Sequence, residues 1–259
     1  MSSTADQSTE VSEAYLALRH LLFSDRTLDQ LLAEPGPDEP ILERAVAEMR
    51  AGRPAEACSE LETAGALKGL RENTIHWIVL AKARCLDGNL EGARDAVRQM
   101  LRIEGLETRW ELQAWALLRE LGGQPDKGNA DEVLGVVVEM GMEGAVATVA
   151  GFADGDARIF WSSGGGILGD LKVFPQVSAA AKRLVASAQK LARHLSPDAS
   201  QALPAAGRVC FALLTRAGIR TAEEVEPQLR RRHHRFYPVY AAAHGLIAGL
   251  RTVYEGQGR

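Results

Sequence analysis

The sequence predicts an α+β protein: an N-terminal array of helical hairpins, then a two-layer α/β domain with a mainly antiparallel sheet of about five strands and two helices on one face. Three observations carry this. Up to residue 123 apolar side chains recur at helical spacing. From Val133 onward β-branched runs and hairpin turns take over. Between the two regimes lies QPDKGN (124–129), a polar Pro/Gly stretch of the kind that separates domains. The domain plan is a disordered tail over 1–11, a helical domain over 12–123, a linker over 124–130 and an α/β domain over 131–259. At 259 residues the chain is long enough for two cores.

Taken in order, Tyr15, Leu16, Leu18, Leu21, Leu22, Leu28, Leu31 and Leu32 supply one or two amphipathic helices, with a break at Ser24-Asp25 and Asp25 as a candidate N-cap. The spacer EPGPDEP (34–40) ends them, because proline lacks the amide donor and restricts the residue before it. Two helices follow around Gly52, and two more, over 74–103, around Asp87-Gly88-Asn89. The glycines are 36 residues apart (88 − 52), and each is followed five residues later by an alanine, Ala57 or Ala93. A period near 34 with a turn between two helices marks a helical-hairpin repeat, in which small residues allow close helix approach.

Past the linker, 133–140 (VLGVVVEM) reads as a strand, and Asp154-Gly155 joins two more, since glycine accepts positive φ. Within the third, Ile159 and Trp161 alternate with Arg158 and Phe160, which predicts partial cover on both faces. A glycine-rich loop, GGGILGD (164–170), leads to a helix striped by Val177, Ala181, Leu184, Ala188, Leu191 and Leu195. A second hairpin turns at Arg216-Ala217-Gly218. The last helix, over 238–255, carries Val239, Ala243, Leu246, Leu250 and Val253.

Trp77, Leu80, Ala81, Gly88 and Ala93 match the spacing of the tetratricopeptide repeat, and the region from 40 to 123 resembles that family. The first unit keeps Ala45, Gly52 and Ala57 but has Arg44 where leucine is usual, and a third partial unit is Leu112, Trp115, Ala116 and Gly123. The resemblance implies a surface that binds other proteins. The second domain is similar in layout to profilin-like and roadblock-like regulatory domains, with a different element order. Its segments SSGGGILG, RVCFALLTRAGI and YPVYAAAHGLIAGLR look like those of an α/β domain in bacterial proteins, which implies no activity.

Composition narrows the chemistry. With 46% hydrophobic and 25% charged residues the chain is of ordinary globular make-up, and its net charge of −4 gives no global attraction to nucleic acid or anionic membrane. Cys58, Cys85 and Cys210 lack the spacing of a zinc site or disulfide framework, and Cys58 and Cys85, on apolar helical stripes, are expected as small buried hydrophobes. Residues 1–11 have neither a basic region nor an apolar run, and no run reaches the ~18 residues of a membrane span, so a cytoplasmic protein is expected.

Gly164-Gly165-Gly166-Ile167-Leu168-Gly169 satisfies G-x-G-x-x-G. A dinucleotide site needs that loop to open a helix at once, with an acidic residue about twenty positions on. Here five residues precede Pro175, and Gln189 and Lys190 stand at the acidic position. Arg230, Arg231, Arg232, His233, His234 and Arg235 are the densest charge, set against Glu223, Glu224 and Glu226. His233, His234 and His244 lack a ligand spacing for metal. No nucleophile elbow, H-E-x-x-H or P-loop is present, and Glu139 with Asp170 would form a carboxylate pair only if folding joined them.

The expectation is therefore a non-enzymatic adaptor or regulatory protein with no catalytic residues, cofactor or metal, and with a protein partner whose identity the sequence does not give. Its expected contacts are Arg84, Arg94, Arg98 and Trp110 on the helical surface, with Trp77 and Trp115 partly structural. Gly164, Gly165 and Gly166 with Arg230, Arg231 and Arg232 are expected to dock from the second domain. The alternatives are a nucleotide- or small-molecule-responsive domain or weak enzyme at the glycine loop, and nucleic-acid contact through the arginine cluster.

Overall fold

Valine-rich Val133–Met142 builds β1, at the inside of a six-stranded sheet ordered β4-β3-β2-β1-β5-β6. The other strands are β2 (Ala145–Phe152), β3 (Ala157–Trp161), β4 (Gly166–Ile167), β5 (Arg208–Thr215) and β6 (Gly218–Val225), and every neighbouring pair is antiparallel. The structure, a computed structural model, describes residues 12–33, 39–64, 69–195, 197 and 202–257. The expected tail and most of the proline spacer lie outside them. The chain divides into two units: Ser24–Ala130, which is helical, and Asp131–Arg259 together with the residues up to Phe23, which holds the sheet.

In the sheet unit, Val136, Val138, Val149, Ile159, Val209 and Phe211 face the apolar stripes of α8 (Pro175–Ala192) and α10 (Tyr237–Gln257), as the sequence expects. Gly151 sets the spacing of these layers. A Cβ there would meet the Ala181 Cα and the Leu246 Cδ2, each at 3.2 Å.

Two features depart from the sequence reading. The sixth strand, β4, is only two residues long and is made from the glycine loop, too short to give a periodic signal. More consequential, α1 (Glu13–Phe23) groups with the sheet, not with the helical array in which the sequence placed it. It covers part of the sheet face opposite α8 and α10. The Tyr15 ring stands edge-on to Phe160 at 5.4 Å, and its hydroxyl is 2.7 Å from the Thr148 hydroxyl. Arg19 donates from Nε and Nη2 to the two Glu139 oxygens, at 2.6 and 2.8 Å, and Thr148 donates to the same carboxylate at 3.3 Å. Arg19 and Glu139 are 4% and 3% exposed, so this is a buried, doubly bonded ion pair.

In the helical unit, α2 (Leu28–Ala33) precedes two helical hairpins, α3 (Pro40–Arg50) with α4 (Pro54–Ala64) and α5 (Thr74–Leu86) with α6 (Leu90–Met100), and then α7 (Thr108–Glu120). Thr27, not Asp25, caps α2, accepting from the Gln30 amide at 3.2 Å. Asn73 caps α5, and Asn89 caps α6 by accepting from the Gly92 amide. Helices α3, α5 and α7 close on Gly52, Gly88 and Gly122, with φ of 77°, 79° and 78°. Beyond each glycine the next amide returns to a carbonyl five residues back: Arg53 to Glu48, Asn89 to Arg84, Gly123 to Leu118. The third cap thus uses Gly122, one residue before the glycine expected from the sequence. Ala45, Ala57, Ala81 and Ala93 are fully buried in or beside this core, where a larger side chain would force the helices apart. No helix among the described residues is long and apolar enough to cross a membrane.

Candidate functional site

Where α4 leads into α5 and α6 into α7, the helical unit opens a groove of about 1260 Å³. That exceeds the roughly 300–1,000 Å³ of small-molecule pockets and suits a length of polypeptide. Leu61, His76 and Leu80 form its buried part. Its rim carries Arg71, Glu72 and Trp77 from the start of α5 and the turn before it, with Arg102, Ile103, Glu104, Leu106, Glu107 and Trp110 from the α6–α7 connection and the start of α7.

Local chemistry fixes these positions. The Trp77 indole N–H donates to the Arg71 carbonyl at 3.0 Å, tying the start of α5 to the turn at Leu70–Glu72. The Glu107 carbonyl accepts the Trp110 amide at 2.9 Å, setting Trp110 in the first turn of α7. Arg84 donates to Glu62 at 2.8 Å and to the Gly92 carbonyl at 2.7 Å, joining α4, α5 and α6. Glu62 and Asp95 on the lining are engaged by Arg84 and Arg98.

His76 is the anomaly. Its residue is 1% exposed, and neither ring nitrogen has a hydrogen-bond partner. Burial holds its pKa below the usual histidine value, so the ring is neutral near pH 7. Native interiors pair nearly all such groups.

The residues expected from the sequence fall out unevenly. Trp110 and Arg84 line the groove, as does Trp77. Arg94 and Arg98 do not: Arg94 bonds Glu91 and, at 2.9 Å, the Leu121 carbonyl, and Arg98 pairs with Glu91 and Asp95. Arg84 is itself held by Glu62, so Arg84 and Arg94 tie their helices to neighbouring segments and Arg98 pairs within α6. Gly164, Gly165 and Gly166 make the tight β3–β4 turn, in which the Gly164 amide donates to the Trp161 carbonyl at 3.0 Å and the Trp161 amide to the Gly165 carbonyl at 3.1 Å. A Cβ on Gly166 would meet the Ile159 carbonyl at 2.7 Å, so Gly166 serves close packing on β3, while Gly164 and Gly165 supply the positive φ of the turn with open space around them; none of the three opens α8.

Arg230, Arg231 and Arg232 are exposed just past α9 (Glu226–Leu229), and Arg230 pairs with Glu226. His234 and Arg235 both face Glu224. His244 is exposed and stands edge-on to Tyr240 at 4.4 Å. Glu139 is taken up by Arg19 and Asp170 is exposed, so no carboxylate pair forms. Among the described residues no cluster of three or more His, Cys, Asp or Glu could hold a metal ion. Burial pushes up the pKa of all three thiols, that of Cys210 to about 12.

No family model, curated protein or solved structure matches this chain. The groove's own chemistry is therefore what points to a function. Sequence reasoning missed most of that groove, because its rims are loop residues such as Arg102 and Glu104 with no periodic signal. His76 did leave one. It sits at helical spacing from the apolar Val79, Leu80 and Ala83, where a polar residue has to be explained.

Proposed function

We propose that this is a non-enzymatic protein-interaction protein, an adaptor or regulator, whose helical unit holds a segment of a partner in the groove between Trp77 and Trp110. The observation that carries the reading is the groove itself: larger than a small-molecule pocket, and lined by the two indoles of Trp77 and Trp110 with Leu61, His76 and Leu80 in its buried part. Tryptophans in such positions are the side chains that dominate binding energy at protein interfaces. The recurrence of the left-handed glycine caps at 52, 88 and 122, at intervals of 36 and 34 (88 − 52 and 122 − 88), supports reading the helical unit as a short tetratricopeptide-like array. On this reading the protein acts in the cytoplasm, and the sheet unit is a second folded module.

A photo-crosslinking amino acid placed at Trp110, and separately at Arg231, tests this in cells. A discrete protein adduct from position 110 that survives nuclease and disappears in the Trp77→Ala background is the expected result. Adducts from position 231 alone, or adducts released by nuclease, would overturn it.

A further inference from the structure

The chain's net charge of −4 conceals a segregation. From 171 to 197 it has five Lys or Arg and no Asp or Glu. Four of these cations, Lys182, Arg183, Lys190 and Arg193, are exposed on α8 or at its C-cap, and none has an ion pair among the described residues. At about 100° per residue all four fall within roughly 100° of arc, opposite the stripe of Val177, Leu184 and Ala188 that α8 turns to the sheet. Ala179 and Ala186, exposed in the same arc, add only methyl groups to it. The elements packed around α8 supply few carboxylates to cancel the row. Asp131 pairs with Arg220, Glu132 with Arg216, Asp156 with Arg158 and Glu255 with Arg251. That leaves Asp154, on the β2–β3 turn where it accepts the Asp156 amide at 3.0 Å, and the exposed Asp170: four cations against two carboxylates. Just ahead of the helix, Leu168 and Val173 are 47% and 62% exposed, although both are large and apolar.

We infer that α8 lies along an anionic lipid surface: its four cations meet the headgroup phosphates while Leu168 and Val173 enter the headgroup layer. The inference goes beyond the groove reading and concerns the other unit. A row of cations with no fixed hydrogen-bond partners suits a fluid layer of headgroups, which needs no register, and clusters of Lys and Arg on a helix are drawn to such layers. Nucleic acid fits less well. Helix α8 has no aromatic residue to stack on a base, and a phosphate backbone offers nothing to the two apolar side chains.

The test mixes the full chain with vesicles of phosphatidylglycerol and phosphatidylcholine in equal parts, and with vesicles of phosphatidylcholine alone, and sediments both. Binding to the first that falls as salt is added, with none to the second, is the expected result. Lys182→Gln with Arg183→Gln, exposed in mid-helix, is expected to weaken binding about thirtyfold, since each Lys or Arg at such a surface is worth about a fivefold factor. Arg231→Gln with Arg232→Gln removes the same charge from exposed positions off the helix, and is expected to weaken it less than about threefold. Equal losses from the two pairs would mean attraction to charge at large, and overturn the assignment to α8. Leu168→Ser with Val173→Ser is expected to weaken binding about tenfold at unchanged melting temperature, and unchanged binding overturns the apolar contact. No binding to the anionic vesicles, or equal binding to both kinds, overturns the inference. So does a labelled DNA duplex that binds more tightly than the vesicles and is lost in the Lys182→Gln, Arg183→Gln variant.

Discussion

Glu139→Leu strands the Arg19 guanidinium in a site where it is 4% exposed, and the cost can be worked from the contacts. The substitution deletes both charge-assisted bonds, at 2.6 and 2.8 Å, and the acceptor of the Thr148 hydroxyl. Burial alone disfavours the Arg19 charge, and Glu139 more than offsets this, holding the pKa above that of a free arginine. Removing one partner of such a pair costs about 3–5 kcal/mol, because the remaining charge is left buried. Set against a total stability of roughly 5–15 kcal/mol, that is a third or more of what keeps a domain folded. Arg19→Met with Glu139→Leu removes both charges and is expected to recover most of the loss, since apolar replacements of buried pairs are often neutral or better. Urea unfolding of the single and double variants, followed by circular dichroism, measures both quantities. A Glu139→Leu cost below about 1 kcal/mol, or a double variant no more stable than the single, would refute the buried-pair argument.

Other outcomes follow from the same contacts. Burial pushes Tyr15 up from 10.0 to about 12, so its contribution is whole below pH 10 and is lost as pH rises through 12. Stability should fall across that window by up to roughly 3 kcal/mol, and the fall should be shallower in Tyr15→Phe. His76 shifts the other way: its folded pKa lies below 6.5, so stability is whole above 6.5 and declines as pH falls below it, and His76→Leu should flatten that acid limb in thermal melts. Gly88→Ala should cost about 1 kcal/mol, and Gly52→Ala the same, since each needs positive φ and has open space around its Cβ; unequal melting temperatures would break their equivalence as caps. Cys58, Cys85 and Cys210 should react slowly with thiol reagents at neutral pH, because burial suppresses the thiolate, and a fast phase in native protein would contradict this.

What the sequence made legible was whatever rests on local period and turn chemistry. The stripes of α8 and α10, the hairpins at Gly155 and Gly218, and the caps at Gly52 and Gly88 all follow from it. Tertiary pairing was not legible. The helical spacing of Tyr15, Leu22 and Phe23 announces a helix without saying that Glu139, 120 residues after Arg19, is its partner. Arg84 reads as a partner contact because its ion pair with Glu62 crosses from α5 to α4 and leaves no mark on spacing. The pairs of Arg94 with Glu91 and of Arg98 with Asp95, in contrast, stand at i,i+3 within α6 and could have been found. Strand β4 escaped for want of length, and the rims of the groove because loops carry no period.

The docking of α1 on the sheet has a consequence during synthesis. At about 5–20 residues per second, the ribosome takes roughly 6–24 s to make Glu139 after Arg19. Throughout that interval Tyr15, Leu22 and Phe23, each 3% exposed once folded, have no strand to cover them, while the residues between are being built into a separate unit. Helix α1 is thus made well before the strands it packs on.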